Sequence, residues 1–123
     1  MDLVVAGTVV SGQGLGRQLG FPTANIFPDG GCRLPPHGVY RVEVLWDNER
    51  RLAACNVGTR PTLGEKGKTL VEVHIPGFFG DLYGRRMEVR FLGKIREEEK
   101  FPSLDALKEQ IKKDVDSLGL KPH

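Results

Sequence analysis

Cysteine is scarce in this chain: two residues in 123, Cys32 and Cys55, 23 positions apart and part of no Cys-x-x-Cys pair. That spacing excludes a zinc knuckle and a dithiol redox motif, and both are read as reduced thiols. Tryptophan occurs once and tyrosine twice, with no basic-aromatic stripe, and the net charge is only +2. Nothing here demands a nucleic-acid partner, and a local phosphate site accounts for the small positive excess equally well. No apolar run approaches a membrane span, and polarity returns by Gly12 without a signal-peptide pattern. The expectation is therefore a cytoplasmic protein with no membrane or nucleic-acid partner. Internal repeats, linkers and low-complexity tracts are also missing, and 123 residues suit one domain over 1–123 with a single core, not two catalytic domains.

What the chain has is glycine, concentrated in one place. Gly12-Gln-Gly14-Leu-Gly16-Arg17-Gln-Leu-Gly20 puts four glycines in nine residues. Residues without a Cβ let backbone N–H groups approach an anion closely, and Arg17 adds a planar, always-charged fork that matches phosphate oxygens. The loop is no Walker A motif, because no Gly-Lys-Ser/Thr follows, and Pro22 opposes the helix that a dinucleotide fingerprint needs. Pro22 instead favours an extended segment that presents Thr23 and Asn25 on one side. Such residues after proline can bond their own backbone in a turn, or offer oxygens to a ligand.

Elsewhere the periodicity is that of short strands. Leu3–Val10 is apolar and β-branched apart from Gly7 and Thr8. Tyr40, Val42, Val44 and Trp46 alternate with polar residues; Asp47-Asn48 supplies a turn, and Leu52–Val57 returns. Val71, Val73 and Ile75 alternate with Glu72 and His74, and Met87, Val89 and Phe91 with Glu88 and Arg90. Phe27–Pro36 and Thr59–Lys68, rich in proline, glycine or charge, read as loops. Ser103 is a candidate N-cap for a helix whose apolar positions are Leu104, Leu107, Ile111, Val115 and Leu118, ended by Gly119. Strands joined by hairpins and followed by one helix predict a mainly β fold, an antiparallel barrel with a C-terminal helix packed on it.

The glycine loop together with Leu19-Gly-Phe-Pro-Thr-Ala-Asn25 resembles the signature of the riboflavin kinases. The resemblance continues through Asn56-Val-Gly58-Thr59-Arg60-Pro61-Thr62, Val71-Glu72-Val-His74-Ile75, Asp81-Leu-Tyr83-Gly84 and Arg96 to Leu107. It implies a six-stranded Greek-key barrel that uses ATP to convert riboflavin to FMN. Gly12, Gly14, Gly16, Arg17, Thr23, Asn25 and Tyr83 would bind the nucleotide, and Thr23 and Asn25 the metal. Magnesium suits this role, since phosphates and waters supply most of its ligands, with zinc or manganese as substitutes. The resemblance also makes Glu72 the general base, and the segment beginning Arg96-Glu97 a flap over the flavin, contacted by Arg96 and Phe101. The family often has Arg-Pro or Arg-Asp where this chain has Arg96-Glu97.

Pattern alone leaves alternatives. Glu72 could be a solvated carboxylate paired with Arg41 or Arg90, and His74 could orient Glu72 or be an ordinary strand residue. A non-catalytic flavin- or nucleotide-binding barrel derived from the kinase is the second reading, although a binder has no need of a placed base together with metal ligands. A barrel of the translation-factor kind is a third, disfavoured by the weak charge. Bacterial members usually carry an adenylyltransferase domain, but no His-x-Gly-His motif occurs here. The expectation is a monomer, either a stand-alone enzyme or one module of a longer parent.

Overall fold

The computed structural model describes residues 3–10, 23–62, 65–78 and 81–119. Alternating apolar residues build six antiparallel strands: β1 (Leu3–Val10), β2 (Ala24–Pro28), β3 (Gly38–Trp46), β4 (Glu49–Thr62), β5 (Glu65–His74) and β6 (Arg86–Arg96). Around the wall the order is β1-β2-β5-β4-β3-β6, and β6 pairs with β1 to close a barrel. That β2 neighbours β5 and not β3 is the Greek-key crossing. Every strand sends one face inward. Val5, Val9, Ile26, Val42, Val44, Val57, Val71, Val73, Met87, Val89 and Phe91 fill the interior. Tyr40 meets Phe91 edge to face at 5.2 Å, and its hydroxyl donates to the Pro36 carbonyl at 2.6 Å, so the buried phenol is satisfied.

The turn at Asp47-Asn48 is realised with φ of 43° and 67°, the paired positive values of a tight hairpin. Ser103 caps the helix α1 (Leu104–Asp116) by accepting from the Ala106 N–H at 3.1 Å, and Gly119 at φ 77° follows its end. Leu118, beyond the last turn, is fully buried, whereas Leu104 is 51% exposed.

One expected loop is corrected, and the other differs only at its start. Thr59–Lys68 belongs largely to a hairpin: β4 and β5 pair through Thr59↔Thr69, Arg60↔Lys68 and Thr62↔Glu65, with a register shift after Arg60. Pairing by main-chain hydrogen bonds needs no apolar alternation, so composition hides it. Likewise the stretch from Phe27 is strand up to Pro28 and has no helix or strand from there until Gly38. Pro28 sits at the strand end, where its missing N–H is tolerated.

Gly7 holds β1 and β2 together closely. A Cβ there would collide with the Phe27 carbonyl oxygen and come 2.8 Å from the Ile26 side chain. Since the main obstacle is backbone, Gly7→Ala should destabilise the barrel at the upper end of the overpacking range, about 3 kcal/mol. Urea unfolding checks this: the midpoint should fall while the slope is kept, and an unchanged midpoint would mean that β2 shifts freely.

Candidate active site

The register of the strands assembles the site. Val10 pairs with Asn25, Asn25 with Glu72, Glu72 with Asn56, Asn56 with Val39, and Val39 with Arg96. One row therefore circles the wall from the end of β1 to the end of β6, and the stagger of a closed barrel carries it from one rim towards the other. The flanking residues Ala24, Ile26, Val71, Val73, Cys55 and Val57 belong to the core or pack on it, so Asn25, Glu72 and Asn56 project from the outer face. Strands are spaced about 4.8 Å apart, which places Glu72 and Arg96 roughly 14 Å from each other along the row.

At the β2–β5 contact three oxygen-bearing side chains converge. The Thr23 hydroxyl donates to Glu72 Oε2 at 3.4 Å, and Asn25 lies directly across from Glu72. Asn25 makes other contacts, but its Oδ1 is buried and accepts no hydrogen bond from the described residues. A hydroxyl, a carboxamide and a carboxylate form a hard donor set that fits a divalent cation of the magnesium type. Among the described residues no group of three or more His, Cys, Asp or Glu could hold a metal, so such an ion would take most of its ligands from phosphate and water.

Arg41 and Arg90, the expected alternative partners of Glu72, are engaged elsewhere. Arg41 Nε donates to the Leu118 carbonyl at 3.1 Å, and Arg90 lies 3.6 Å from Glu43. The sequence reading of Glu72 as half of a strand-face ion pair with either is thereby corrected. Its charge is felt by Cys55, whose thiol is pushed well above the ordinary range by complete burial first and by Glu72 second. Cys55 stays a neutral core thiol. His74 is half-buried two residues beyond Glu72 along β5, opposite Ala54.

Gly12, Gly14, Gly16 and Arg17 lie outside the described residues. In sequence they lie between Val10, the end of β1, and Thr23, which precedes β2. Tyr83 stands beside the end of β1: the Gly84 N–H donates to the Val9 carbonyl at 2.8 Å, and the Tyr83 N–H is held by Asp81 Oδ1 at 2.9 Å. Its ring is 67% exposed, available for packing on a ligand.

At the far end of the row, Arg96 and Phe101 are together, the guanidinium 5.6 Å from the ring centroid. Arg96 also donates from Nε and Nη2 to the two oxygens of Asp114, both at 2.9 Å, and from Nη1 to the Glu97 carbonyl at 3.0 Å. The strand-to-helix connection that follows is folded back on the barrel. Lys94 bonds Glu97, and the Glu98 carboxylate lies over Gly58, where any side chain would collide with it. Asp114 is the functional candidate missed in the sequence. It sits on the apolar stripe, three residues after Ile111 and four before Leu118, and a carboxylate there signals a buried partner. A cleft of about 530 Å³ below the β3–β4 turn, lined by Trp46, Asp47, Arg86 and Met87 among others, includes none of the expected site residues.

Comparison with known proteins places the chain in a family. The family profile described as riboflavin kinase matches residues 1–119. A bifunctional riboflavin kinase/FMN adenylyltransferase of Pseudomonas fluorescens is 49% identical over 90% of this chain and 35% of its own length. An RNA-binding riboflavin kinase of Bacillus subtilis is 43% identical over 91% of the chain and 48% of its own length. Among solved structures, the Trypanosoma brucei riboflavin kinase superposes with a TM-score of 0.66 at 28% identity, covering 96% of this chain and 78% of that one. A Streptococcus pneumoniae structure described as a macrolide-efflux protein superposes with a TM-score of 0.88 at 34% identity, covering 98% of this chain and 40% of that one. The chain thus spans about a third of the length of the Pseudomonas relative and about half of the Bacillus one. No helix among the described residues is long and apolar enough to cross a membrane.

Proposed function

This chain belongs to the riboflavin kinase family, and we propose on that basis that it transfers the γ-phosphoryl group of ATP to the 5′-hydroxyl of riboflavin, giving FMN and ADP. The observation that carries the reading is the pairing of Glu72 with Asn25, with the Thr23 hydroxyl on the Glu72 carboxylate, next in sequence to the glycine-rich stretch. Phosphoryl transfer asks a protein chiefly for positioning and charge neutralisation. Gly12, Gly14, Gly16 and Arg17 cradle the phosphates, and Tyr83 packs on the nucleotide. Thr23 and Asn25 hold the cation, for which magnesium fits best and manganese or zinc could substitute. When bound, that ion neutralises charge on the β- and γ-phosphates. Arg96 and Phe101 hold the flavin ring at the other end of the row, so the ribityl chain runs along the wall towards Glu72.

Glu72 aligns the 5′-hydroxyl and accepts its proton as the new O–P bond forms. The bond from the γ-phosphorus to the bridging oxygen breaks, and ADP leaves with that electron pair. We read the chain as one kinase domain, monomeric and cytoplasmic, that works alone or joined to an adenylyltransferase as in the bifunctional relatives. A non-catalytic flavin-binding barrel is disfavoured, because flavin binding alone gives no reason to cluster a hydroxyl, a carboxamide and a carboxylate beside a phosphate loop. Incubation with riboflavin, ATP and magnesium, followed by chromatography of the flavins, should yield FMN and no FAD. Flavin binding without turnover would favour the binding-only reading, and FAD formation would mean that this chain carries a second activity.

A further inference from the structure

Among the described residues Asp114 bonds Arg96 and Gln110 and makes no hydrogen bond to Thr23, Asn25 or Tyr83, yet it is among the most buried polar groups described, 4% exposed. Its carboxylate takes Arg96 Nε on Oδ1 and Nη2 on Oδ2, and Gln110 Nε2 also donates to Oδ1 at 3.0 Å. The Arg96 and Asp114 side chains are 16% and 6% exposed, so the pair is shielded from water and from salt. A bidentate carboxylate fixes the plane of a guanidinium, not only its position. The guanidinium carbon lies over the Phe101 ring, 5.6 Å from its centroid, and the remaining nitrogen, Nη1, holds the Glu97 carbonyl. Helix α1 thereby sets the first residue of the strand-to-helix connection and the aromatic ring near its end.

Resting on the flavin-site reading of Arg96 and Phe101, we propose that Asp114, supported by Gln110, is a positioning residue for flavin binding. It acts through Arg96, as a latch between α1 and the end of β6. Three of the five guanidinium N–H groups are committed to Asp114 and Glu97. The other two, one on each terminal nitrogen, are left in a fixed plane from which to meet the polar edge of an isoalloxazine. Without the carboxylate, the guanidinium keeps its charge but loses that fixed plane, and with it its fixed place over the Phe101 ring. The nucleotide end of the row is roughly 14 Å away by strand spacing and should not register the change.

Asp114→Asn keeps the shape and removes the charge. The dissociation constant of FMN, read from quenching of flavin fluorescence, should rise about tenfold, the usual scale of coupling through a packed network. Binding of ADP with magnesium, read by calorimetry, should stay within about twofold, which is below what such coupling produces. Both are measured well below the melting temperature of each variant. Gln110→Ala removes one supporting hydrogen bond from a partly exposed helix position, so it serves if Asp114→Asn does not fold, and it should weaken FMN alone by a smaller factor. A purely structural role would lower the melting temperature and leave both constants unchanged, or raise both together, and either result overturns the latch. If the wild-type protein itself binds no flavin, the functional reading fails with it. Normal wild-type binding with an unchanged flavin constant in the variants sinks the latch alone.

Discussion

Glu72→Gln is expected to lower kcat by roughly 10²- to 10⁴-fold, the range that a positioned general base contributes, with flavin and nucleotide affinities little changed. Glutamine keeps the length of the side chain and can still take the Thr23 hydrogen bond through its carbonyl oxygen, so the site should remain assembled. What it lacks is a place for the proton of the 5′-hydroxyl. A fall in kcat without a rise in KM is the pattern of an interaction made in the transition state alone. Glu72→Asp separates position from protonation. It retains a carboxylate but withdraws it by one methylene, and a small misplacement of a catalytic group is costly. Single-turnover quench measurements decide the matter, since product release can mask a chemical step. Turnover of Glu72→Gln within a few-fold of wild type in that experiment would make Glu72 a strand-face carboxylate. His74, half-buried on the same side of β5, would then be the next base to test.

The interior of the barrel is legible in the sequence wherever a strand has a core behind it. Tyr40 to Trp46, Val71 to Ile75 and Met87 to Phe91 alternate because one face of each is buried, and all seventeen residues of the core cluster are non-polar or aromatic. Where a strand's composition is mixed the signal fades. The β4–β5 hairpin from Thr59 to Thr69 is held by its register, and proline, glycine and charge there are compatible with strand, so composition misreads it as a loop. β2 is read only as an extended segment after Pro22, since five residues ending at Pro28 are too few to show a period.

The site divides in the same way. Thr23, Asn25 and Glu72 are marked by the family motifs, but their meeting depends on β2 pairing with β5, strands far apart in sequence, and no local pattern specifies that. The structure turns three motif residues into one cluster on the outer wall. Asp114 shows the opposite case. Its position on the apolar stripe of α1 is visible in the sequence as an anomaly, whereas its partner, at the end of a strand 18 residues earlier, is not. A charge on an apolar stripe says that a partner exists without saying which.

Asn25→Ala should raise the magnesium concentration needed for half-maximal activity by on the order of 10- to 100-fold, the range that loss of even an outer partner of a metal ligand costs. Few protein oxygens are available to the cation. If phosphates and waters fill most of the octahedron, each protein ligand fixes where the metal-nucleotide sits relative to Glu72. Asn25 is directly across from Glu72 in the register, so its carboxamide sets the separation between cation and base. The side chain is on the outer face, beside core residues that alanine leaves untouched, and the metal-free protein should unfold at nearly the wild-type temperature. Asn25→Asp provides the opposite perturbation. A second carboxylate beside Glu72 favours the cation, but two like charges across a strand pair repel, and one is driven towards its protonated form when the metal is absent. Magnesium should therefore bind more tightly as pH rises, with a steeper pH dependence than in the wild type. Calorimetric titration of ADP at several magnesium concentrations reads both variants. Identical magnesium dependence in wild type and Asn25→Ala would reduce Asn25 to a polar residue of the strand and leave Thr23 and the phosphates to hold the metal without it.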